Sequence, residues 1–335
     1  EFTDKVAFSM LVNAYYYQAD GRGMDSYESF IVSDEIKRER IFNFVDDVWR
    51  NNDKYKEQYI YYSNKYQDQF IERLPSMSVK ESVHVSEYKS DIFIATDEKL
   101  YDEVKRNIKE VIYSEGDIKL LDKVYAIIKN RQDTFWAKNG LFVKWTGIGY
   151  LIDFLYQYLD FSTQYKNKTY IKVEDLIKDY TQHLYKIDYN YRKFREVSME
   201  IDIDGLLINK VNQMYNIFLD DINYKYSSLI EKLDKYSIEG IPNQQIVWDD
   251  FVKQQGKKCI IFADALNYEL GKEIEEKLSK FEIKNTTMVS FLPSITEVGM
   301  TRLVMHNNEK LILKGENNSI SISTDKYEKN LIYRE

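Results

Sequence analysis

The chain has 335 residues, 44% of them hydrophobic, which is enough for a sizeable core and as a length suggests about two domains. A net charge of −8 and a pI near 5.3 argue against a generally basic surface for nucleic acid, and a single cysteine excludes an intrachain disulfide framework. No apolar run reaches the roughly 18–20 residues that span a bilayer, and the first residues, Glu1-Phe2-Thr3-Asp4, carry no basic stretch before an apolar core. A cytoplasmic protein without membrane contact is expected. The chain opens without Met, and it reads as a piece of a longer protein.

Three prolines and 12 glycines in this length favour long helices. Residues 1–75 read as helical. Val6, Met10, Ala14 and Tyr17 share one face, and Ile41, Phe44, Val45 and Val48 share another. Asp20-Gly21-Arg22-Gly23 punctuates between them. Tyr55, Tyr59, Tyr61, Tyr62 and Tyr66 predict a helix with aromatic rings at its water boundary, closed by Leu74-Pro75-Ser76. Residues 91–96 read as a short strand or a buried connector. From 100 to 235 apolar stripes recur every three or four residues without proline, so nearly all of it is predicted helical. Val104, Ile108 and Ile112 make one stripe, Leu120, Val124, Ile127 and Ile128 the next, and Leu151, Leu155 and Leu159 another. Asp133 or Thr134 is placed to cap a helix. Trp136 and Trp145, amid these stripes, read as core rather than as base-stacking platforms. The domain division expected is a helical region over 1–240, with a sub-boundary near 75–100, and an α/β portion over 246–335.

The α/β portion holds the chemistry. Cys259-Ile260-Ile261-Phe262-Ala263 is apolar without alternation and predicts a strand buried on both faces, as in a parallel sheet. Cys259 is accordingly expected to be buried and unreactive. Asp264 ends the run, and Leu266, Leu270, Ile274 and Leu278 predict a helix directly after it. A carboxylate at the C-terminal edge of such a strand stands where α/β sheets bind ligands, and it could equally be a helix N-cap. Residues 288–292 form a second apolar segment, stopped by Pro293. Ser294-Ile295-Thr296 follows, with a helix expected from near Thr296 through Val298, Met300, Leu303 and Val304. A hydroxyl at a helix start meets free N–H groups and the positive dipole end, a setting for a nucleophile or for a plain cap.

Other motifs carry less. Asp202-Ile203-Asp204-Gly205 has Gln213 at the twelfth position of a calcium loop, where a glutamate is required. There is no Walker A sequence, and His84, His183 and His306 are scattered without ligand spacing.

An apolar run ending in Asp264-Ala265-Leu266-Asn267-Tyr268-Glu269, followed by Leu292-Pro293-Ser294-Ile295-Thr296-Glu297-Val298-Gly299-Met300, resembles the PglZ domain. That family belongs to the alkaline phosphatase superfamily and is found in BREX phage-defence systems. The resemblance covers roughly residues 245–310, and the segment Ile187-Asp188-Tyr189-Asn190-Tyr191-Arg192-Lys193-Phe194 is similar to part of the family's helical region. It implies an alkaline phosphatase-like parallel-sheet domain, of which 246–335 is the N-terminal portion, apparently truncated. It implies that Asp264 holds a divalent metal, zinc or manganese, and that Thr296 is both nucleophile and metal ligand, with Ser294 the alternative nucleophile. After His306 the chain offers no histidine and only Asp325 as an aspartate, so the full two-metal set is not expected within it. The function implied is a metal-dependent phosphatase or phosphodiesterase, a nuclease being permitted, acting on a phosphate ester or nucleic acid beside other BREX components. The alternative is a non-catalytic scaffold or interaction module of the same complex.

Overall fold

In the computed structural model, residues 2–21, 24–72, 89–114, 118–306, 309–316 and 319–324 are described. The break at Leu74-Pro75-Ser76, His84 and Asp325 lie outside them. The chain is mostly helical and divides into two units, residues 1–158 with 190–215, and residues 159–189 with 216–335.

The first unit begins with α1 (Phe2–Gln18), α2 (Glu35–Asn43), which runs on as a π-helical turn Phe44–Arg50, and α3 (Lys56–Ile71). It continues with α4 (Ile94–Ser114), α5 (Ile118–Gln132) and α6 (Phe142–Asp160), so the helical prediction holds. Asp34 caps α2, its side chain accepting from the Lys37 N–H. The buried face of α1 is wider than the stripe read from sequence, of which Ala14 is buried and Met10 packs against the core. Ala7, Phe8, Leu11, Val12, Ala14 and Tyr15 are buried while Val6 is exposed. α1 is apolar nearly all round, so spacing alone does not select its inner side. Trp136 and Trp145 are core, as expected.

Of residues 91–96, 91–93 form, with Ser90, the buried connector of the two alternatives read from sequence, and 94–96 open α4 instead. Tyr59 Oη and Ser63 Oγ both donate to the Ile92 carbonyl, at 2.7 and 2.8 Å. The buried Asp91 carboxylate accepts from Arg50 Nη1 at 2.6 Å, Gln18 Nε2 at 2.9 Å and the Phe135 N–H at 2.7 Å. Burial raises its pKa, but the Arg50 charge and these donors outweigh that and hold it below the usual carboxylate range. The Asp97 carboxylate meets Arg131 Nη1 at 3.3 Å and Trp145 Nε1 at 3.0 Å. Thr134 is the cap the sequence offered, its hydroxyl accepting from the Ala137 N–H at 3.3 Å. Gly147 of α6 is required for packing: a Cβ there would stand 2.7 Å from a Val197 methyl and 2.8 Å from Ile201 Cδ1.

The second unit holds α7 (Val173–Asp179), α10 (Ile246–Lys253), α11 (Tyr268–Lys277) and α12 (Thr296–Leu303). Helices α8 (Tyr185–Val197) and α9 (Gly205–Ile230) supply residues to each unit's range. A core of Tyr170, Val173, Leu176, Leu229 and Ile238 gathers Tyr226, Leu233, Ile241 and Val289 around it. β1 (Leu311–Glu316) and β2 (Ser319–Thr324) form an antiparallel hairpin in register Leu311↔Thr324 to Glu316↔Ser319.

The expected buried strand at 259–263 is not formed. Among the described residues this run has no ladder partner, Cys259 and Phe262 are exposed, and Ile261 is 85% exposed. A central strand is buried only when strands flank it and helices cover both faces, and the described residues bring neither to it. The parallel pairing present is one bridge, Asn243↔Val289.

Two outcomes test this description. Asp91→Ala removes one of the two carboxylates that meet the buried Arg50 cation, Asp46 remaining, and leaves the Gln18 and Phe135 donors unmet, so it is expected to cost up to about 3–5 kcal/mol in urea unfolding. Because the Asp91 pKa is depressed on folding, its contribution is present above the unfolded carboxylate pKa. It is lost as pH falls through the folded value, so the variant lacks that part of the wild type's acid sensitivity. Cys259, being exposed, is expected to react with a thiol reagent in the native protein to the same extent as after unfolding. Protection of the native thiol would restore the buried strand.

Candidate functional site

The segment that delivers Thr296 is held by backbone bonds. The Val289 N–H donates to the Pro242 carbonyl at 3.0 Å, and Tyr236 Oη donates to the Ser290 carbonyl at 3.0 Å. The Phe291 N–H donates to Gln244 Oε1 at 3.4 Å. On the far side of α12, buried Gln245 donates from Nε2 to the His306 and Glu309 carbonyls, at 3.0 and 3.1 Å. Asp249 of α10 meets His306 Nδ1 at 2.6 Å. Helix α12 is therefore tied at both ends to the turn and helix over 242–253.

The other half is placed by α11. Its first residue, Tyr268, donates from Oη to the Thr181 carbonyl at 3.0 Å and packs edge-on to Tyr180 and Tyr185. Lys258, just before the apolar run, closes α10 by donating from Nζ to the Phe251, Val252 and Gln254 carbonyls at 2.9–3.1 Å.

Between these anchors the two sequence-predicted residues meet. Thr296 Oγ1 donates to Asp264 Oδ1 at 3.3 Å, and the Ala265 N–H donates to the same oxygen at 2.9 Å. Ala265 has φ of 51°, a left-handed conformation uncommon outside glycine, and the chain turns there from the apolar run toward α11. The capping alternatives do not hold. The N-cap of α11 is Asn267, three residues past Asp264, and the N-cap of α12 is Ile295, with no side-chain cap bond. Thr296 is half-buried as the first residue of α12, and Asp264 and Ser294 are exposed. Ser294 makes no side-chain hydrogen bond among the described residues.

A hydroxyl at a helix start, hydrogen-bonded to a carboxylate, is a pair of hard oxygen donors open to one side. Such a pair suits part of the shell of a divalent ion. Among the described residues no three His, Cys, Asp or Glu side chains group as a metal site, so these two are a partial set. His183 lies in the π-helical turn Tyr180–Leu184 with its ring 6.1 Å from Tyr165, and His306 is engaged with Asp249. Sequence reading missed the Asp249–His306 tether and the stacking of Arg302 on Phe291, 4.3 Å from guanidinium carbon to ring centroid. Each joins residues too far apart in sequence for periodicity to register.

Residues 243–331 match the family of the BREX system PglZ alkaline phosphatase-like domain. An alignment of 147 residues is 31% identical to the alkaline phosphatase-like protein PglZ of Bacillus cereus (strain H3081.97), covering 40% of this chain and 17% of that protein. No solved structure matches the chain. The matched segment contains both motifs, with Asp264 and Thr296 inside it, as the resemblance read from the sequence anticipated. No helix among the described residues is long and apolar enough to cross a membrane.

Because the Thr296 hydroxyl does not cap α12, Thr296→Val is expected to leave helix content unchanged. Its cost in unfolding free energy should stay within about 1 kcal/mol, the net worth of one hydrogen bond. Circular dichroism with urea melts reads both, and loss of helical signal would return Thr296 to a capping role.

Proposed function

We propose that residues 246–335 belong to a metal-dependent phosphohydrolase domain of phage defence, acting as a phosphatase or phosphodiesterase, preceded by a helical region over 1–240. The observation that carries this is the contact of Thr296 Oγ1 with Asp264 Oδ1, 3.3 Å apart inside the segment that matches the PglZ family. In this reading Thr296 is the nucleophile. Its position at the start of α12 favours loss of the hydroxyl proton and approach of a phosphate, because the free N–H groups there are aimed at negative charge. Asp264 holds the hydroxyl by its hydrogen bond and is a metal ligand together with Thr296. A divalent ion, zinc or manganese, would supply charge neutralisation at phosphorus and lower the proton affinity of the oxygen bound to it. Ser294, exposed and two residues earlier, is the alternative nucleophile.

The parallel-sheet architecture is part of the same proposal. It is supported by the family match and by the isolated parallel bridge Asn243↔Val289. Partners are other BREX components, the substrate is a phosphate ester or nucleic acid, and the setting is the cytoplasm. A second reading, a non-catalytic interaction module, is favoured by the donor count: among the described residues no third metal-ligating side chain groups with the pair.

The test uses the longer protein to which this chain corresponds. Asp264→Ala is expected to weaken metal binding, and Thr296→Ala to remove the nucleophile while leaving the fold intact. Hydrolysis of a chromogenic phosphodiester with added zinc or manganese should fall to background in both. An unchanged rate in Thr296→Ala would refute the assignment.

A further inference from the structure

We propose that Tyr268 is a positioning residue for the Asp264–Thr296 pair, and that through it the aim of the carboxylate is set from the helical region, outside the segment that matches the family. Its effect on turnover rests on the phosphohydrolase reading given above, whereas its effect on geometry stands without it.

The starting point is how little holds Asp264 from its own side. Residues 261–267 are all exposed, and the run leading into Asp264 has no ladder partner among the described residues. Upstream, the side-chain anchor is Lys258, bonded to carbonyls of α10 and its cap. The whole apolar run lies between that anchor and Asp264. The bond from Thr296, at 3.3 Å, is long for a hydroxyl donor and fixes the carboxylate weakly.

The hold comes from downstream. The Asn267 N–H donates to the Ala265 carbonyl at 2.8 Å, closing a tight turn, and the Gly271 N–H donates to the Asn267 carbonyl at 3.0 Å, joining that turn to α11. Tyr268 is the first residue past Asp264 that is not exposed. Its ring meets Tyr180 at 6.1 Å and Tyr185 at 5.3 Å, and the Lys272 ammonium stands 5.9 Å over it. Its hydroxyl donates to the Thr181 carbonyl at 3.0 Å. Thr181 lies inside the π-helical turn Tyr180–Leu184, a kind of turn that recurs at functional sites. The Thr181 hydroxyl is occupied with the Ile177 carbonyl at 2.8 Å, so the turn offers Tyr268 its backbone. All these residues belong to the second unit, and Thr181 precedes the matched segment 243–331. A shift of the π-helical turn therefore reaches Asp264 through one phenol and a closed turn.

Amide hydrogen exchange in the 335-residue chain, followed by NMR, reads this geometry without turnover. The probe is the Ala265 N–H, which donates to Asp264 Oδ1 at 2.9 Å. Tyr268→Phe keeps the ring and loses only the hydroxyl. In it the Ala265 N–H is expected to exchange up to about tenfold faster, the scale of one lost hydrogen bond, approaching its rate in Asp264→Ala. The amide of Leu229, in the core of the same unit, should keep its wild-type rate. Tyr268→Leu, which also removes the ring contacts, should show a larger effect at Ala265. In the longer protein, Tyr268→Phe should lower kcat on a chromogenic phosphodiester while KM stays as in the wild type. Wild-type exchange at Ala265 in Tyr268→Phe overturns the proposal. So does an acceleration shared equally by Leu229, since Tyr268 then only stabilises the unit, and so does a raised KM with kcat kept. A wild type without turnover, in which Ala265 still responds to Tyr268→Phe, sinks the phosphohydrolase reading and leaves the positioning role standing.

Discussion

The first unit depends on one buried carboxylate. Asp91 has left water, and three donors from separate parts of the chain, Gln18, Arg50 and Phe135, converge on it. A buried anion is tolerated only where its lone pairs are met and a cation answers its charge. Connector 90–93 therefore cannot shift without breaking contacts to α1, to the π-helical turn after α2 and to the segment after α5. Tyr59 and Ser63 of α3 add their hydroxyls to the adjacent Ile92 carbonyl, so the connector's backbone is satisfied without a sheet. This explains why an apolar segment that could have been a strand is instead a buried hub. It is surrounded by side-chain donors rather than by another strand's amides.

The second unit shows the opposite case. Residues 259–263 have the composition of a central strand, yet Ile261 is almost wholly in solvent. Strand composition states a preference for a pleated, covered surface, and only neighbouring strands and helices provide one. The turn that follows is nonetheless made. Ala265 adopts its left-handed conformation, α11 is docked by Tyr268, and Asp264 is turned to face Thr296. The ordering of this edge comes from aromatic packing and backbone capture, with Lys258, Gln244, Gln245 and Tyr236 each satisfying carbonyls or amides that a ladder would otherwise take.

Electrostatics gives the site its direction. In an acidic chain, the start of α12 offers free N–H groups beside a hydroxyl that no cap consumes. Asp264 contributes the opposite sign. Negative and positive groups held apart on neighbouring segments suit a substrate that carries phosphate and is handled through a cation, and this is the chemistry the proposal assigns to them.

Much of this was legible in the sequence, for a physical reason in each case. Helix over most of 100–235 follows from apolar stripes that recur every three or four residues, and Thr134 was readable as a cap because capping is local. Asp264 and Thr296 stood out because each ends an apolar segment and precedes a helix, and the family motif spans both. The inner face of α1 was not readable, because a helix apolar all round takes its inside from its neighbours. Nor was the exposure of Cys259, since burial belongs to the surroundings of a strand and not to its letters. The pairing of Asp91 with Arg50, the stack of Arg302 on Phe291 and the 3.3 Å contact of Thr296 with Asp264 were decided by tertiary structure. Residue type and spacing determine which groups can interact, but only the packed chain determines which of them meet.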